Sequence, residues 1–440
     1  MSQVAERQTA LGAAFDEFRR DPAFAAGGLG PARETAFARF TAQGWPTTRQ
    51  EEWRHTNVQP IAETEFTRPS APSAPAELAD LAEPFLFAAE IPHRVVLVNG
   101  RWSAALSSVA SLPAGVAVVS LRDAAPSGAA AVRSLLDATP GQTPFVDLNG
   151  AFVEDGVSIT VAPGAIIEDP IHIVSLSTDG ASPAMVCPRL VISAGERSQV
   201  YVVESYGGEA GGTRLTNAVT HVDVAPGAMV DHVKLQREPA SVFHMATMFA
   251  RVDRGGVFRS HAVTLGGRIS RNDIVSTLAG EGAECTLDGL YVADGDALVD
   301  THTTIDHAMP HCPSHELYKG ILTGKARAVF NGKIVVRQDA QKTNAKQTNK
   351  ALLLSDDAQV NTKPQLEIFA DDVKCTHGAA IGQLDEDALF YMQARGIAFQ
   401  DARNLLIHAF AGEVLDGVKE DVVRERAMRL LEEKLSLWKV

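Results

Sequence analysis

The sequence predicts a mainly β protein, a solenoid of short stacked strands set between an α-helical N-terminal region and an α-helical C-terminal one. Three observations predict it. Over residues 318–385, short apolar segments alternate with Gly, Asn and Asp, and no long amphipathic run intervenes. Such segments fit strands, each too short to bury a core unless its neighbours stack on it. Upstream, Ala162-Pro163-Gly164-Ala165, Ser193-Ala194-Gly195-Glu196 and Ala225-Pro226-Gly227-Ala228 set turn glycines 31 and then 32 residues apart, as repeated strand-turn units do. Later marks at Gly256, Gly282 and Asp294-Gly295 are less even, so a β-sandwich or jelly roll stays as the alternative. Both ends of the chain instead repeat apolar residues every three or four positions.

Residues 1–92 read as helical. Leu11, Ala14, Phe15 and Phe18 form one stripe, Ala36, Phe37 and Phe40 another, with Gly27-Gly28-Leu29-Gly30-Pro31 between them. The Pro- and Ser-rich stretch 68–75 is a linker or surface loop. Trp45 and Trp53 are expected to be packing anchors. The β core spans 93–384. It opens with a strand at 94–98 running into Asn99-Gly100, a hairpin turn. A short helix is expected at 130–136, and strands at 157–161, 200–203 and 218–222. Farther on, Asn331-Gly332 reads as a turn, residues 366–369 alternate with a period of two, and Asp356-Asp357 and Asp371-Asp372 mark corners. Residues 385–440 are helical again. Asp385 caps an acidic first turn and Gly396 stops that helix. A second helix carries Ala402, Leu405, Leu406, Ala409, Phe410 and Val414 on one face; a third carries Val423, Ala427, Leu430, Leu431, Leu437 and Trp438.

Composition narrows the function. At 440 residues and 45% hydrophobic the chain can bury two or three domains, which excludes whole-chain disorder. A net charge of −14, from 54 acidic against 40 basic residues, disfavours nucleic acid and anionic membrane as partners. The four cysteines, Cys187, Cys285, Cys312 and Cys375, show no CxxC spacing, which argues against a disulfide framework and fits a reducing compartment. No secretory start or membrane-length apolar run is evident, so a cytoplasmic protein is expected.

Several motifs bear on chemistry. Gly320 and Gly324 are one residue too close for a phosphate loop, and Ala326 stands where the loop needs Ser or Thr. Residues 280–285 lack the third glycine of a dinucleotide fingerprint. No nucleotide is therefore expected on this chain, and no Gly-x-Ser-x-Gly elbow suggests a hydrolase. The densest set of ligand-type side chains is His302, His307, His311, Cys312 and His315. These residue types suit zinc or iron; Pro313 spoils a helical pairing of His311 with His315, though a turn can still converge them, and hydrogen-bonded surface histidines are the alternative. Lys342 and Lys346 sit in a polar run read as a solvated solenoid edge. Cys375 and His377 fall on one face of a strand, as soft metal ligands or as a buried thiol beside a hydrogen-bonded imidazole.

At these residues the chain resembles a known family. The runs YKGILTGKARAVFNGKI, NAKQTNKALLLSDDAQV and TKPQLEIFADDVKCTHGAAIGQLDEDALFYMQARGI, with the early segment PTTRQEEWRHT, resemble the SufD branch of the SufB/SufD scaffolds, which assemble iron-sulfur clusters with the ATPase SufC. A SufB-type chain would carry a Glu-His-Glu type of segment where this one has Lys374-Cys375-Thr376-His377. The resemblance implies a right-handed parallel β-helix without catalysis of its own, the ATPase being a separate chain. It implies pairing with SufB through the last turns, and a transient cluster held there between a SufB cysteine and His377, with Cys375 as a secondary contributor. It implies SufC docking on the C-terminal helices over 395–415, with Arg395, Leu405, Leu406, Phe410 and Val414 as the candidate contacts. A reduced flavin in the complex finds no support in the sequence. Two other readings stay open: a homodimeric scaffold of the same type, and a β-helical metalloenzyme using the 302–315 histidines.

Overall fold

The computed structural model describes residues 3–69, 75–87, 90–124, 143–178 and 182–438. The helix expected at 130–136 and most of the Pro/Ser stretch, 70–74, lie outside them. The core is a parallel β-solenoid of about eight turns. One sheet runs from the hairpin His93–Val98/Arg101–Trp102 through Ile171–Ser177 and seven further strands to Lys374–Gly382. The other runs from Val116–Ser120 and Val157–Val161 to Gln359–Ile368. Pairing is parallel throughout except at the start, where Arg101–Trp102 and Val116–Ser120 pair antiparallel with their neighbours. The Asn99-Gly100 turn is formed as expected: both residues have positive φ, 52° and 76°, as a type I′ hairpin requires.

One corner of the solenoid shows why the chain stacks. Gly164, Arg197, Gly227, Gly255, Gly282, His311 and Lys342 all have φ between 57° and 74°. The backbone N–H of each donates to a carbonyl of the following turn, those of Glu196, Pro226, Arg254, Glu281, Pro310, Gln341 and Asp372, at 2.7–3.1 Å. The left-handed backbone turns the N–H out of its own coil and toward the next one. Intervals along this series are 33, 30, 28, 27, 29 and 31 residues. Gly295 and Gly324 belong to the opposite corner, which is why the later glycine marks look uneven when read as one series. The corners at Asp356-Asp357 and Asp371-Asp372 form as expected.

Asn331-Gly332 is not a turn. Both residues lie inside the strand Arg327–Val336, with ordinary φ. Glycine is there for space: a Cβ on Gly332 would come within 2.2 Å of Gln347 Nε2. The same logic explains Tyr318-Lys319-Gly320. Gly289 pairs with Tyr318, and Tyr291 with Gly320, on adjacent strands. Each tyrosine ring occupies the space beside the facing glycine, where a Cβ would lie 2.3 and 2.1 Å from ring carbons. Interlocked rings and glycines thus fill the interior.

Helices cover both outer faces. Helices Gln3–Arg20, Gly30–Gln43 and Pro144–Phe152 bury an aromatic cluster, including Phe15, Phe18, Phe40, Phe145 and Phe152, against Leu215, Phe243, Met245 and Leu298 of the second sheet. Trp45 meets Phe40 edge-on at 5.1 Å, and Trp53 stacks on Phe145 at 5.6 Å, so both tryptophans anchor packing. Against the first sheet, helices Phe399–Leu415 and Asp421–Ser436 bury Ile407, Ala411, Val414, Leu415, Val423, Ala427, Leu430 and Leu431 over Tyr201, Val233, Leu290 and Leu317. Here the expected face needs correction: Leu405 and Ala409 are exposed, while Ile407 and Leu415 point inward. Residues 405–415 are apolar almost all round, so periodicity alone does not choose a face. Leu437, past the end of the last helix, is also exposed.

Gly320→Ala should lower unfolding stability by about 1–3 kcal/mol, because the strand-locked ring of Tyr291 has nowhere to go. Gly378→Ala, whose added Cβ meets nothing within 4 Å, is the matched control and should leave the denaturant midpoint unchanged.

Candidate functional site at the open end of the solenoid

The two last strands have one neighbour each among the described residues: Gln359–Ile368 pairs with Arg327–Val336, and Lys374–Gly382 with Asn344–Leu353. Their outer edges leave backbone groups ready to pair. Ile368, Phe369 and Ile381 are exposed there, which apolar residues at the end of a stack are when no further turn covers them. Pro364 and Lys363 lie on the same edge, residue types that disfavour indiscriminate strand addition.

Register shows where the two candidate ligands lie. Ala345, Gln347, Asn349 and Ala351 are at most 2% exposed and face the interior; their partners on the final strand are Cys375, His377, Ala379 and Ile381. Cys375 packs against the interior cluster of Ile334, Val336 and Ala345. The side chains of Cys375 and His377 therefore share the interior-facing side of an uncovered strand, as the two-residue spacing predicts. Cys187, Cys285 and Cys312 are buried, and Cys375 is half-buried. Burial raises all four thiols, Cys285 to about 12; at Cys375 a backbone hydrogen bond at Ala345 partly offsets it. Cys375 is thus the cysteine a metal can reach, and a metal would have to displace its proton.

The family model for the SufBD core domain of the SUF system of FeS cluster assembly matches residues 176–410, and that for the SufBD N-terminal region matches 24–173. The chain belongs to the SufBD family. It is 35% identical to an iron-sulfur cluster assembly SufBD family protein of Synechocystis sp. over 85% of this chain and 84% of that one. To the iron-sulfur cluster assembly protein SufD of Escherichia coli it is 30% identical over 89% and 90%.

In this SufBD chain the 302–315 side chains do not converge. They lie on two strands of different sheets, Leu298–His307 and Pro313–Leu322, and on the corner between them. His302 points outward beneath the N-terminal region, 3.0 Å from Asp300 and 3.3 Å from Glu52. His307 points inward to Ser314 Oγ at 3.0 Å, and burial lowers its pKa to about 4. His311 is a corner residue whose backbone N–H belongs to the stacking ladder. The Cys312 thiol is buried and donates toward the Gly280 and Pro310 carbonyls. His315 faces Asp288 on the outer side of the first sheet. Among the described residues no group of three or more His, Cys, Asp or Glu could hold a metal ion. Nearness in sequence does not bring them together, because a strand alternates its faces and a corner reverses its direction.

Two features escaped the sequence reading. One is a clamp between the N-terminal region and the solenoid. Arg271 lies on the Trp53 ring at 3.8 Å and donates to Asp300 at 2.6 Å, while Thr56 donates to the same carboxylate at 2.5 Å. A cavity of about 260 Å³ lined by Glu51, Glu52, His55, His302 and Lys363 runs from this clamp to the rim. The Glu51-Glu52-Trp53 run was its signal. The other feature is the extension of the expected C-terminal docking surface to Phe390, Tyr391 and Phe399. Phe390, Tyr391, Phe399 and Leu405 are each about half exposed or more. Beside them Arg395 donates to the Tyr391 hydroxyl at 2.7 Å. Leu406 and Phe410 are half-buried and Val414 is buried. Among the described residues no helix is long and apolar enough to cross a membrane.

The clamp has a definite pH signature. Although burial opposes it, the carboxylates of Asp300 and Glu52 raise His302 from 6.5 to about 9. A raised histidine contributes its full stability below pH 6.5 and loses it as pH rises through 9, at most on the order of 3 kcal/mol. Thermal melts of the wild type should therefore fall between pH 6.5 and 9, and those of His302→Gln should be flatter over the same window.

Proposed function

We propose that this chain is a scaffold subunit without catalysis of its own, which completes an iron-sulfur assembly site by mating its open solenoid end with that of a SufB-type sister chain. One observation carries the reading: Cys375 and His377 share the interior-facing side of a final strand that no further turn covers among the described residues. A sister strand added there would extend the sheet and place its own side chains over the same interior. A neutral imidazole and a thiolate are competent iron ligands. The cluster is cargo, and ligands drawn from two chains would make its assembly depend on how the chains are mated. His377 is the principal ligand of this chain, and Cys375 the secondary one. No flavin-binding role is assigned. The setting is the cytoplasm.

The same proposal assigns SufC, the ATPase, to the C-terminal helices. The exposed residues Phe390, Tyr391, Phe399 and Leu405 supply an apolar contact, with Arg395 beside it; Leu406 and Phe410 lie at its margin, and Val414 supports it from within. A physical link leads inward from this surface. Lys319 is 2% exposed; its Nζ donates to the Phe410 carbonyl at 2.6 Å, sits 4.4 Å from the Phe410 ring centroid, and pairs with Glu413. Lys319 lies between Tyr318 and Gly320, so a displacement of the docking helix is passed to the interlocked strands below.

Co-expression with SufB and SufC tests the assignment: a ternary complex should purify, and a chain that elutes alone or as a homodimer would overturn it. His377→Ala should leave that complex intact and reduce cluster formation at least tenfold, with Cys375→Ser having the smaller effect; an unchanged rate would remove the ligand assignment. Leu405→Asp should weaken SufC binding about tenfold or more, as loss of a central apolar contact does, without changing the melting temperature, since Leu405 is 52% exposed.

A further inference from the structure

The interior beneath His377 is polar for two rungs and then stops. Along the first sheet the in-register residues are Leu287, Glu316, Gln347 and His377. Glu316 and Gln347 are 0% and 1% exposed, and Gln347 Nε2 donates to Glu316 Oε2 at 2.6 Å. The bond depends on Gly332, since any side chain at that position would collide with Nε2. With its nitrogen held on Glu316, the amide of Gln347 has its oxygen free: Oε1 is buried and has no hydrogen-bond partner. A buried acceptor left unpaired is destabilising, so a donor is expected. The neighbouring rung in the direction of the rim is His377, one strand spacing of about 4.8 Å away. Leu287 ends the in-register polar column on the other side.

We propose that Gln347 is a positioning residue for His377: its Oε1 accepts the proton of one imidazole nitrogen, fixing the ring's tautomer and leaving the other nitrogen to face an incoming iron. Glu316 sets the direction of the Gln347 amide. Histidine ligands are generally held in this way by an acceptor on the second nitrogen, and losing that acceptor costs about 10–100-fold in metal affinity. Gly332, in the Asn331-Gly332 pair, supplies the room for the arrangement. The inference rests on His377 being a ligand, but its test does not depend on cluster formation.

The test uses the full chain labelled with ¹⁵N-histidine, with the His377 resonances assigned from their loss in His377→Ala. In the wild type the ring nitrogens should report one dominant tautomer. Gln347→Leu should return the ring toward the mixed population of free imidazole, and Gln347→Glu, which keeps an acceptor, should restore the single form. Glu316→Gln, which preserves volume while releasing the amide to turn over, should also mix the tautomers, and it serves as the second probe where Gln347→Leu fails to fold. In the reconstituted complex, Gln347→Leu should lower iron loading about tenfold. Tautomer populations unchanged in the folded variants would overturn the proposal. Normal iron loading in His377→Ala would instead overturn the ligand reading, and the two failures are told apart by separate measurements.

Discussion

The architecture depends on a single repeated hydrogen bond. At one corner of each coil a residue with left-handed backbone donates its N–H to the coil that follows, from Gly164 through to Lys342. Strand pairing along the sheets would tolerate slippage, since a slip of two residues keeps the same side chains inward. A corner N–H that must find one carbonyl removes that freedom. With the register held, interior side chains fall into columns, and the columns determine what is possible inside: Tyr318 must face Gly289, Tyr291 must face Gly320, and Gln347 must lie over Glu316. The last member of the ladder, Lys342, donates to Asp372, on the corner that leads into the strand bearing Cys375 and His377. The position of the candidate ligands is thus set by the same bond that sets every earlier turn.

The helices on the two outer faces act differently. On the second sheet, the aromatic cluster and the Arg271–Asp300 clamp fix the N-terminal region beside the rim, with Lys363 of the edge strand paired to Glu51. On the first sheet the C-terminal helices are held by an apolar seam and by the buried ammonium of Lys319. A buried cation stripped of water is stable only when its partners are close and well aimed. The Phe410 carbonyl, the Phe410 ring and Glu413 meet that need together, which makes Lys319 a stiff connection and not a loose surface contact.

Much of this was legible in the residues. The repeat marked at 164, 195 and 227 falls on one corner of the solenoid, although the residue in register there is Arg197 and not Gly195; the Asn99-Gly100 hairpin, the Asp corners, the Asp385 cap and the shared face of Cys375 and His377 were real. What hid the rest has physical causes. The left-handed corner positions hold arginine, histidine or lysine at 197, 311 and 342, so a search for glycine loses the series, and glycines of the opposite corner intrude on it. Glycine in a strand can mean room for a neighbour as well as a turn, and at 332 it means room. The 302–315 histidines looked like a cluster because a linear sequence does not show which face of a strand each one takes. In the helix at 399–415 an almost continuous apolar surface left the inward side undetermined until the sheet beneath it was in place.

The two ends of the solenoid are unlike, and the difference bears on assembly. At its start the sheets finish in short antiparallel strands, Arg101–Trp102 and Val116–Ser120, which reverse the chain and depart from the parallel pattern a stacked coil would continue. At its finish both sheets stop on full-length parallel strands of nine and ten residues, with apolar side chains at their ends exposed. A solenoid open at both ends could add copies without limit, as a heterologous contact that does not close produces a filament. With one end already turned back on itself, union through the other stops at two chains. On the proposed pairing, the asymmetry of the ends is therefore what limits the assembly to a pair and places a single ligand site at its centre, where neither chain alone can complete it.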